Sequence, residues 1–163
     1  SADACRAAGL NMEIVTCGGT LTYWFSAFHP GVTEMQAGGG IYGDAMYCHK
    51  YGVDHEFALT IKSTVTSRPT PRRIICDAGK KTMSADVAWP IPQGIGDVAE
   101  MKQSAEHGII ELVAPSDTPA VGDHLHWIAG YSDPTVFLHN ELVATRGGIV
   151  EAVWPLLGRG KLT

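Results

Sequence analysis

The sequence predicts a mainly β protein, a β-barrel or β-sandwich preceded by the last element of an α/β domain. From Glu56 onward, short segments with β-branched residues or alternating polarity are separated by turns rich in glycine and proline, and helical periodicity is weak. Before Glu56, a helix-like run, a β-prone run and a glycine turn follow one another in the order of an α/β unit. With 163 residues, 45% hydrophobic and 18% charged, the chain can bury a sizeable core as one domain, which excludes a mainly disordered protein.

The α/β unit is predicted from the first residues of the chain. Residues 2–9 resemble the end of a helix closed by a glycine, and residues 12–16 predict a short strand. The glycine turn at residues 17–20 is expected to follow this strand directly. Because the chain opens at the end of a helix, we expect a further segment to precede it. We place the boundary to the β-domain after residue 30, which divides the chain into residues 1–30 and 31–163.

The β-domain is predicted to contain seven strands. Turn-forming residues separate them, and the last two strands flank Gly147-Gly148, which is a strong signal for a β-hairpin. The predicted strands are residues 57–67, 72–76, 98–103, 109–113, 124–128, 141–145 and 149–154.

Charge and hydropathy exclude two classes of partner. The chain carries 12 Lys and Arg against 17 Asp and Glu, a net charge of −5, and has no long basic run, so we expect no nucleic-acid partner. Its apolar stretches are interrupted well before the roughly 20 residues that a membrane span requires, so we expect no membrane partner and a soluble, cytoplasmic protein. The four cysteines lack C-x-x-C spacing and are expected to be reduced: Cys5, Cys17, Cys48 and Cys76.

The glycine turn is the first pattern that could carry chemistry. Successive backbone N–H groups at Gly18 and Gly19, followed by the Thr20 hydroxyl, are able to surround a phosphate, because the missing side chains let it approach the backbone. A tight turn without a ligand explains the same residues. The pattern alone leaves both interpretations open.

Two histidine patterns are ambiguous in the same way. On a strand, His124 and His126 point to one face and could offer two imidazoles to a metal, although a polar strand face explains them equally. Glu106 beside His107 could tune an imidazole for acid–base work, although a solvated loop is an equally good explanation. The chain contains no Gly-x-Ser-x-Gly, Walker loop or His-Glu-x-x-His, so hydrolysis by such a nucleophile or metal site has no support.

Taken together and in order, several segments resemble the C-terminal portion of the D-threonine aldolase and D-serine dehydratase-like family. These are pyridoxal 5'-phosphate enzymes of the alanine-racemase fold type. The order of the segments is more specific than any one of them. The matching segments are residues 15–20 with 33–38, 77–84, 106–108, and 121–123 running to 133–136, with residues 153–155 and 159–160 at the close.

The resemblance implies a larger enzyme. In the family, an N-terminal (β/α)8 barrel carries the Schiff-base lysine, and a C-terminal β-domain closes the active site, usually that of a partner subunit in a dimer. Residues 1–30 would be the end of that barrel, with Gly18, Gly19 and Thr20 holding the cofactor phosphate. None of the chain's lysines matches the family's lysine motif, and Lys80 and Lys81 are interpreted as structural or near the mouth of the site.

The resemblance also implies a divalent metal ion, with one departure. The family holds the ion through a His-x-Asp or His-x-Cys pair, and the ion polarises the β-hydroxyl of the substrate. The matching positions are Tyr131-Ser132-Asp133, so Asp133 is the candidate metal ligand and Tyr131 replaces the histidine. A phenol with an ordinary pKa of about 10 is a poor ligand at neutral pH. Either the ion is absent, and Tyr131 donates a proton to the β-hydroxyl or acts on the other face of the cofactor, or Asp133 holds it with help from His107 or His126.

We therefore predict the C-terminal part of a pyridoxal-phosphate lyase acting on D-3-hydroxy amino acids, by Cα–Cβ cleavage or by β-elimination. Tyr131 and His107 are its candidate catalytic residues, and an N-terminal barrel segment or chain in a homodimer is needed for activity. The lost metal histidine favours a racemase or epimerase as an alternative, and the absent lysine favours a non-catalytic binding or assembly module. In a further departure, Gly40 stands where the family often has an aromatic residue, and Tyr42 is expected to compensate. Without the barrel, unpaired strand edges and an apolar face would be exposed.

Overall fold

The central element of the fold is an antiparallel sheet of six strands, seen in a computed structural model that describes residues 1–161. The strands are β3 at Thr60–Thr70, β4 at Arg73–Cys76, β5 at Ile91–Pro92, β6 at Val98–Gln103, β7 at Gly108–Leu112 and β8 at His124–Ile128. Their spatial order is β5-β8-β3-β4-β7-β6, so three of the five neighbouring pairs join strands that are not consecutive in the chain. This confirms the mainly β fold class.

The long strand β3 makes this sheet curl into half a barrel. Its first half pairs with β8, where Thr60 lies opposite Ile128. Its second half pairs with β4, where the register shifts between Val65 and Ser67 and again before Thr70. Such irregularities bend a strand and increase its twist. β3 therefore takes part in two ladders of backbone hydrogen bonds, one with β8 and one with β4.

The core lies on the concave side of the curled sheet. Burial alternates along β3, where Ile61, Ser63 and Val65 are buried between more exposed neighbours, as expected for a sheet with one covered face. The buried Trp127 of β8 donates its indole N–H to Ser63 Oγ at 2.8 Å, which satisfies its polar group inside the core. The buried cluster consists of Ile61, Val65, Ile74, Cys76, Ala78, Met83, Ile110, Leu112, Leu125, Trp127 and Ala129.

The N-terminal unit corrects one predicted strand. It contains helix α1 at Ala2–Ala7, strand β1 at Thr16–Gly19, helix α2 at Tyr23–Ser26 and strand β2 at Glu34–Gln36, which pairs with β1 in parallel. The strand predicted at residues 12–16 is wrong except for its last residue. Asn11 Oδ1 accepts the Glu13 N–H at 3.0 Å, which favours a turn there, and the partner strand lies opposite residues 16–19. The glycines therefore end β1 and do not follow it. The domain boundary after residue 30 stays a prediction.

Short helices and a separate hairpin complete the fold. A 3-10 helix spans Gly38–Ile41, a π-helix spans Met46–Lys50, and helix α3 spans Ser132–Val136; none was predicted. The predicted hairpin is present as β9 at Glu141–Arg146 and β10 at Ile149–Pro155, a two-stranded sheet apart from the six-stranded one. All seven strands predicted in the β-domain are present to within three residues at each end. Within residues 1–161, no helix is long and apolar enough to cross a membrane.

Candidate functional site

The glycine motif is held by hydroxyl groups at the start of α2. Gly18 has a φ of 83°, and a Cβ on it would lie 2.3 Å from Ser26 Oγ and 2.9 Å from Thr22 Oγ1, so only glycine fits there. The next residue, Gly19, donates its N–H to Thr22 Oγ1 at 3.1 Å. The backbone at this turn thus lies directly against two hydroxyl side chains.

Thr20 connects this motif to a second glycine segment. Its side chain is buried, and its Oγ1 accepts the N–H of Gly39 at 3.0 Å. A Cβ on Gly39 would lie 2.5 Å from Cε2 of Tyr47, so the missing side chain makes room for that ring. Backbone N–H groups and hydroxyls are the usual partners of a bound phosphate. Groups of this kind converge on Gly18–Thr20, where the Gly19 N–H is bonded to Thr22, and the phosphate assigned to this motif stays a prediction.

Tyr47, whose ring lies beside Gly39, also contacts Tyr131 of the predicted pair Tyr131 and Asp133. The rings of Tyr47 and Tyr131 meet edge to face with centroids 6.0 Å apart. The Tyr131 hydroxyl donates to Asp133 Oδ2 at 2.8 Å. Because this bond to a carboxylate favours the protonated phenol, it raises the pKa of Tyr131 well above its ordinary value, with burial adding to the effect. Tyr131 is therefore a neutral hydrogen-bond donor at physiological pH.

Asp44 is a site residue that the sequence interpretation missed. It is fully buried, and its Oδ1 accepts the N–H of Tyr47 at 2.9 Å while its Oδ2 accepts the N–H of Ser132 at 2.8 Å. Backbone bonds from residues 45–46 to residues 129–130 run alongside. Asp44 thereby fixes the backbone of Tyr47 against the segment that carries Tyr131. In the sequence, the indication of a buried role for Asp44 is that this charged residue directly precedes the apolar Ala45-Met46.

His55 is a second residue that was missed, and it corrects the expectation for Tyr42. A Cβ on Gly40 would lie 3.3 Å from His55 Cε1, so this imidazole fills the space beside Gly40. His55 Nε2 shares a hydrogen bond of 3.1 Å with the Tyr23 hydroxyl, while Nδ1 is buried and has no partner among the residues described. Tyr42 lies elsewhere, on the wall of a pocket that contains Asp133.

Asp133 lines a pocket of about 320 Å³. The pocket combines an apolar wall with a few polar groups, which is typical of a small-molecule site. A larger cleft of about 720 Å³ lies apart from the glycine motif and includes Lys80 among its lining residues. The residues that line the smaller pocket are Tyr42, Asp133, Val136, Phe137, Leu156, Gly158 and Arg159.

The structure does not bring the other predicted residues to this site. His107 is exposed between β6 and β7, and Glu106 pairs with Lys81. Within residues 1–161, no hydrogen bond joins the His107 side chain to another residue, including the predicted catalytic partner Tyr131. His124 and His126 do share an exposed face of β8, as predicted.

The residues around Asp133 do not fit a divalent metal ion. In the part of the chain that the structure describes, no group of three His, Cys, Asp or Glu side chains could hold one. Asp133 accepts a hydrogen bond from Tyr131, and the cationic Arg159 lines the same pocket. His107 and His126, the proposed helpers, complete no such group. Within residues 1–161 no such group completes a site around Asp133, and its role as a metal ligand stays a prediction.

Comparison with known proteins assigns the chain to a family. A family model described as a putative serine dehydratase domain matches residues 58–145, and the chain belongs to this family. It is 36% identical over 98% of its length to a 3-hydroxy-D-aspartate aldolase of Paracoccus denitrificans, of which it covers 43%. The solved D-threonine aldolase of Filomicrobium marinum matches 99% of the chain at 28% identity with a TM-score of 0.90, and the chain covers 45% of it. The D-threo-3-hydroxyaspartate dehydratase of Delftia sp. HT23 matches 96% of the chain at 27% identity with a TM-score of 0.78, and the chain covers 47% of it.

These relatives are aldolases and dehydratases, which are lyases. The chain spans less than half the length of each relative, and it corresponds to a C-terminal portion of such enzymes. A single-residue mutant of a D-threo-3-hydroxyaspartate dehydratase has been solved in a metal-free form. The resemblance seen in the sequence is thereby confirmed.

Proposed function

We propose that the chain is the part of a pyridoxal-phosphate lyase that holds the cofactor phosphate and covers the β-carbon of a D-3-hydroxy amino acid. The reaction would be Cα–Cβ cleavage or elimination of the β-hydroxyl. The observation that carries the proposal is one continuous series of contacts between the phosphate motif and the predicted catalytic tyrosine. The series joins Thr20 to Asp133 through Gly39, Tyr47 and Tyr131.

The names of the relatives support the substrate class, since each acts on a D-amino acid with a 3-hydroxyl group. Because the chain spans under half of their length, we propose that an N-terminal barrel segment or chain supplies the Schiff-base lysine and is needed for activity. Residues 1–30 would be the end of that barrel and residues 31–163 the β-domain. We further propose a homodimer in the cytoplasm.

Bound pyridoxal phosphate supplies an electron sink for the bond broken at Cα. The chain's own residues would do three things. The backbone of Gly18 and Gly19 and the Thr20 hydroxyl would hold the phosphate. Tyr131, whose O–H donates to Asp133 in the structure, would turn that O–H to the β-hydroxyl and donate a hydrogen bond or a proton to it. The role predicted for His107 in proton transfer stays a prediction.

The phosphate role is tested by Thr20→Val in the full-length protein. Loss of a hydroxyl that bonds a charged group should weaken pyridoxal-phosphate binding by roughly tenfold to a hundredfold, while binding of pyridoxal, which lacks the phosphate, should be unchanged. Thr20→Ser keeps the hydroxyl and should restore binding. Thr66→Val removes an exposed hydroxyl far from the motif and is the matched control. Equal loss for pyridoxal and its phosphate would contradict the assignment.

The reaction is tested by incubating the full-length protein with D-threonine and with D-3-hydroxyaspartate. Glycine with an aldehyde indicates aldol cleavage, and an oxo acid with ammonia indicates dehydration. Inversion at Cα without cleavage would replace the lyase by a racemase. A colourless protein that neither binds pyridoxal phosphate nor changes either substrate would leave the binding-module alternative.

A further inference from the structure

We infer that Tyr131 and Asp133 bind the β-hydroxyl of the substrate directly and take the place of a divalent metal ion, so that this protein works without one. The inference about the substrate rests on the proposed function. The inference about the metal rests on the residues themselves.

A hydrogen bond already joins Tyr131 and Asp133. Tyr131 donates to Asp133 Oδ2 at 2.8 Å, so one oxygen of the carboxylate is already bonded to a phenol that carries its proton. A metal ligand must instead offer a lone pair and give up any proton. Asp133 keeps its other oxygen to accept the hydroxyl proton of a substrate, and Tyr131 can turn its O–H from Asp133 to the hydroxyl oxygen.

The side chains around Asp133 suit a hydroxyl group better than a metal ion. Arg159 lines the pocket of Asp133, and its Nε donates to Asn140 Oδ1 at 2.9 Å while an Nη donates to the carbonyl of Phe137. These bonds hold a guanidinium, which donates hydrogen bonds and cannot be a metal ligand, on the pocket wall. The phenol of Tyr42 lines the same pocket. Tyr42, Arg159 and Asp133 thus offer both donors and acceptors to a hydroxyl group, which itself donates and accepts.

Protein contacts hold Tyr131 and Asp133 in place without an ion. Ser132, between the two residues, donates its N–H to the buried Asp44 at 2.8 Å. The Tyr131 carbonyl accepts the Thr135 hydroxyl at 2.7 Å, and the ring of Tyr47 packs edge-on against the ring of Tyr131. The phenol is therefore oriented by protein contacts, a task that a bound metal often performs for its ligands.

The metal is tested by restoring the histidine. Full-length wild type, Tyr131→His, Asp133→Ala and the control Tyr51→His are equilibrated with Zn²⁺ or Mn²⁺, passed through a desalting column and analysed for metal. Tyr51 is exposed, so Tyr51→His adds a histidine outside the site. Wild type and the control should retain essentially no stoichiometric metal, and Tyr131→His should retain about one equivalent, because it recreates a His-x-Asp pair.

Two results would overturn the inference about the metal. One is a wild type that retains about one equivalent of metal and loses it in Asp133→Ala. The other is a Tyr131→His variant that retains no more metal than the Tyr51→His control. In that case, the tyrosine at position 131 would not be the reason why the wild type binds no ion. The measurement needs no turnover, so a protein with the expected metal pattern but no lyase activity would count against the proposed function alone.

Direct binding of the hydroxyl is tested with a substrate that lacks it. Spectral titration of the pyridoxal-phosphate form compares D-threonine with D-2-aminobutyrate, its analogue without the 3-hydroxyl. Tyr131→Phe should reduce the preference for D-threonine by about tenfold and leave D-2-aminobutyrate binding unchanged. An unchanged preference would overturn the direct contact.

Discussion

The two oxygens of Asp44 join backbone segments that are far apart in the chain, at Tyr47 and Ser132. Asp44→Ala would leave both buried N–H groups without a partner, so we expect the free energy of unfolding to fall by roughly 2–5 kcal/mol. Urea unfolding followed by tryptophan fluorescence measures this loss. Asp54→Ala removes an exposed carboxylate on the same loop region and should change stability little. Equal unfolding midpoints for the two variants would show that Asp44 does not hold these segments.

Cysteine reactivity should separate two thiols by burial. Cys76 is fully buried in the sheet, and burial raises the pKa of its thiol, whereas Cys17 beside the glycine motif is exposed. The thiolate is the reactive form, so at pH 8 the buried thiol is both protonated and inaccessible. We expect a disulfide reagent to modify Cys17 rapidly and Cys76 only after unfolding. Mass spectrometry of peptides after timed labelling checks the order, and early labelling of Cys76 would contradict it.

The imidazole of His55 restricts the size of the side chain that position 40 can accommodate. The Cβ of Gly40→Ala would lie 3.3 Å from the imidazole, whereas a Cβ at Gly38 would meet nothing within 4 Å. We expect Gly40→Ala to be less stable than Gly38→Ala by about 1 kcal/mol, measured by thermal unfolding. Adding His55→Ala to both variants should remove the difference. If the difference persists, the imidazole is not its cause.

Elements with a strong local signal were predictable, and those that depend on distant partners were not. The hairpin β9–β10 carries its own turn at Gly147-Gly148, and β8 alternates buried and exposed residues, so neither needed tertiary information. The position of β1 is set by its pairing with β2, which local β-propensity at residues 12–16 does not contain. Among site residues, Tyr131 and Asp133 were found through a family pattern. Asp44 and His55 were missed because their roles arise from contacts across the fold.

The whole molecule exposes large apolar side chains in two regions, one around helix α2 and one at the end of the β9–β10 hairpin. Phe25 and Phe28, in and after α2, are 80% and 83% exposed, and Trp154 and Leu157 protrude at the hairpin and beyond it. Monomeric proteins rarely leave such groups uncovered in patches. We propose that the segment which the longer relatives possess covers the α2 side.

The chain of 163 residues, produced alone, should therefore bind a hydrophobic dye and self-associate. The double variant Phe25→Ser and Phe28→Ser should lower both signals, because it removes two of the most exposed apolar side chains. Dye fluorescence and analytical ultracentrifugation measure the effect. Lys62→Ser, on the exposed face of β3, is the control for the added serines. A wild-type chain that is monodisperse and does not bind the dye would argue against an uncovered apolar surface.

The double pairing of β3 also constrains the order in which the sheet can assemble. Its pairing with β4 closes a short turn, since Thr70 lies opposite Arg73. Its pairing with β8 brings Thr60 to Ile128, across most of the β-domain. Closing so long a loop costs more conformational entropy and is slower than closing a short one. During synthesis on the ribosome, β3 and β4 can therefore pair early. The backbone hydrogen-bonding groups on the first half of β3 have no strand partner until β8 has emerged.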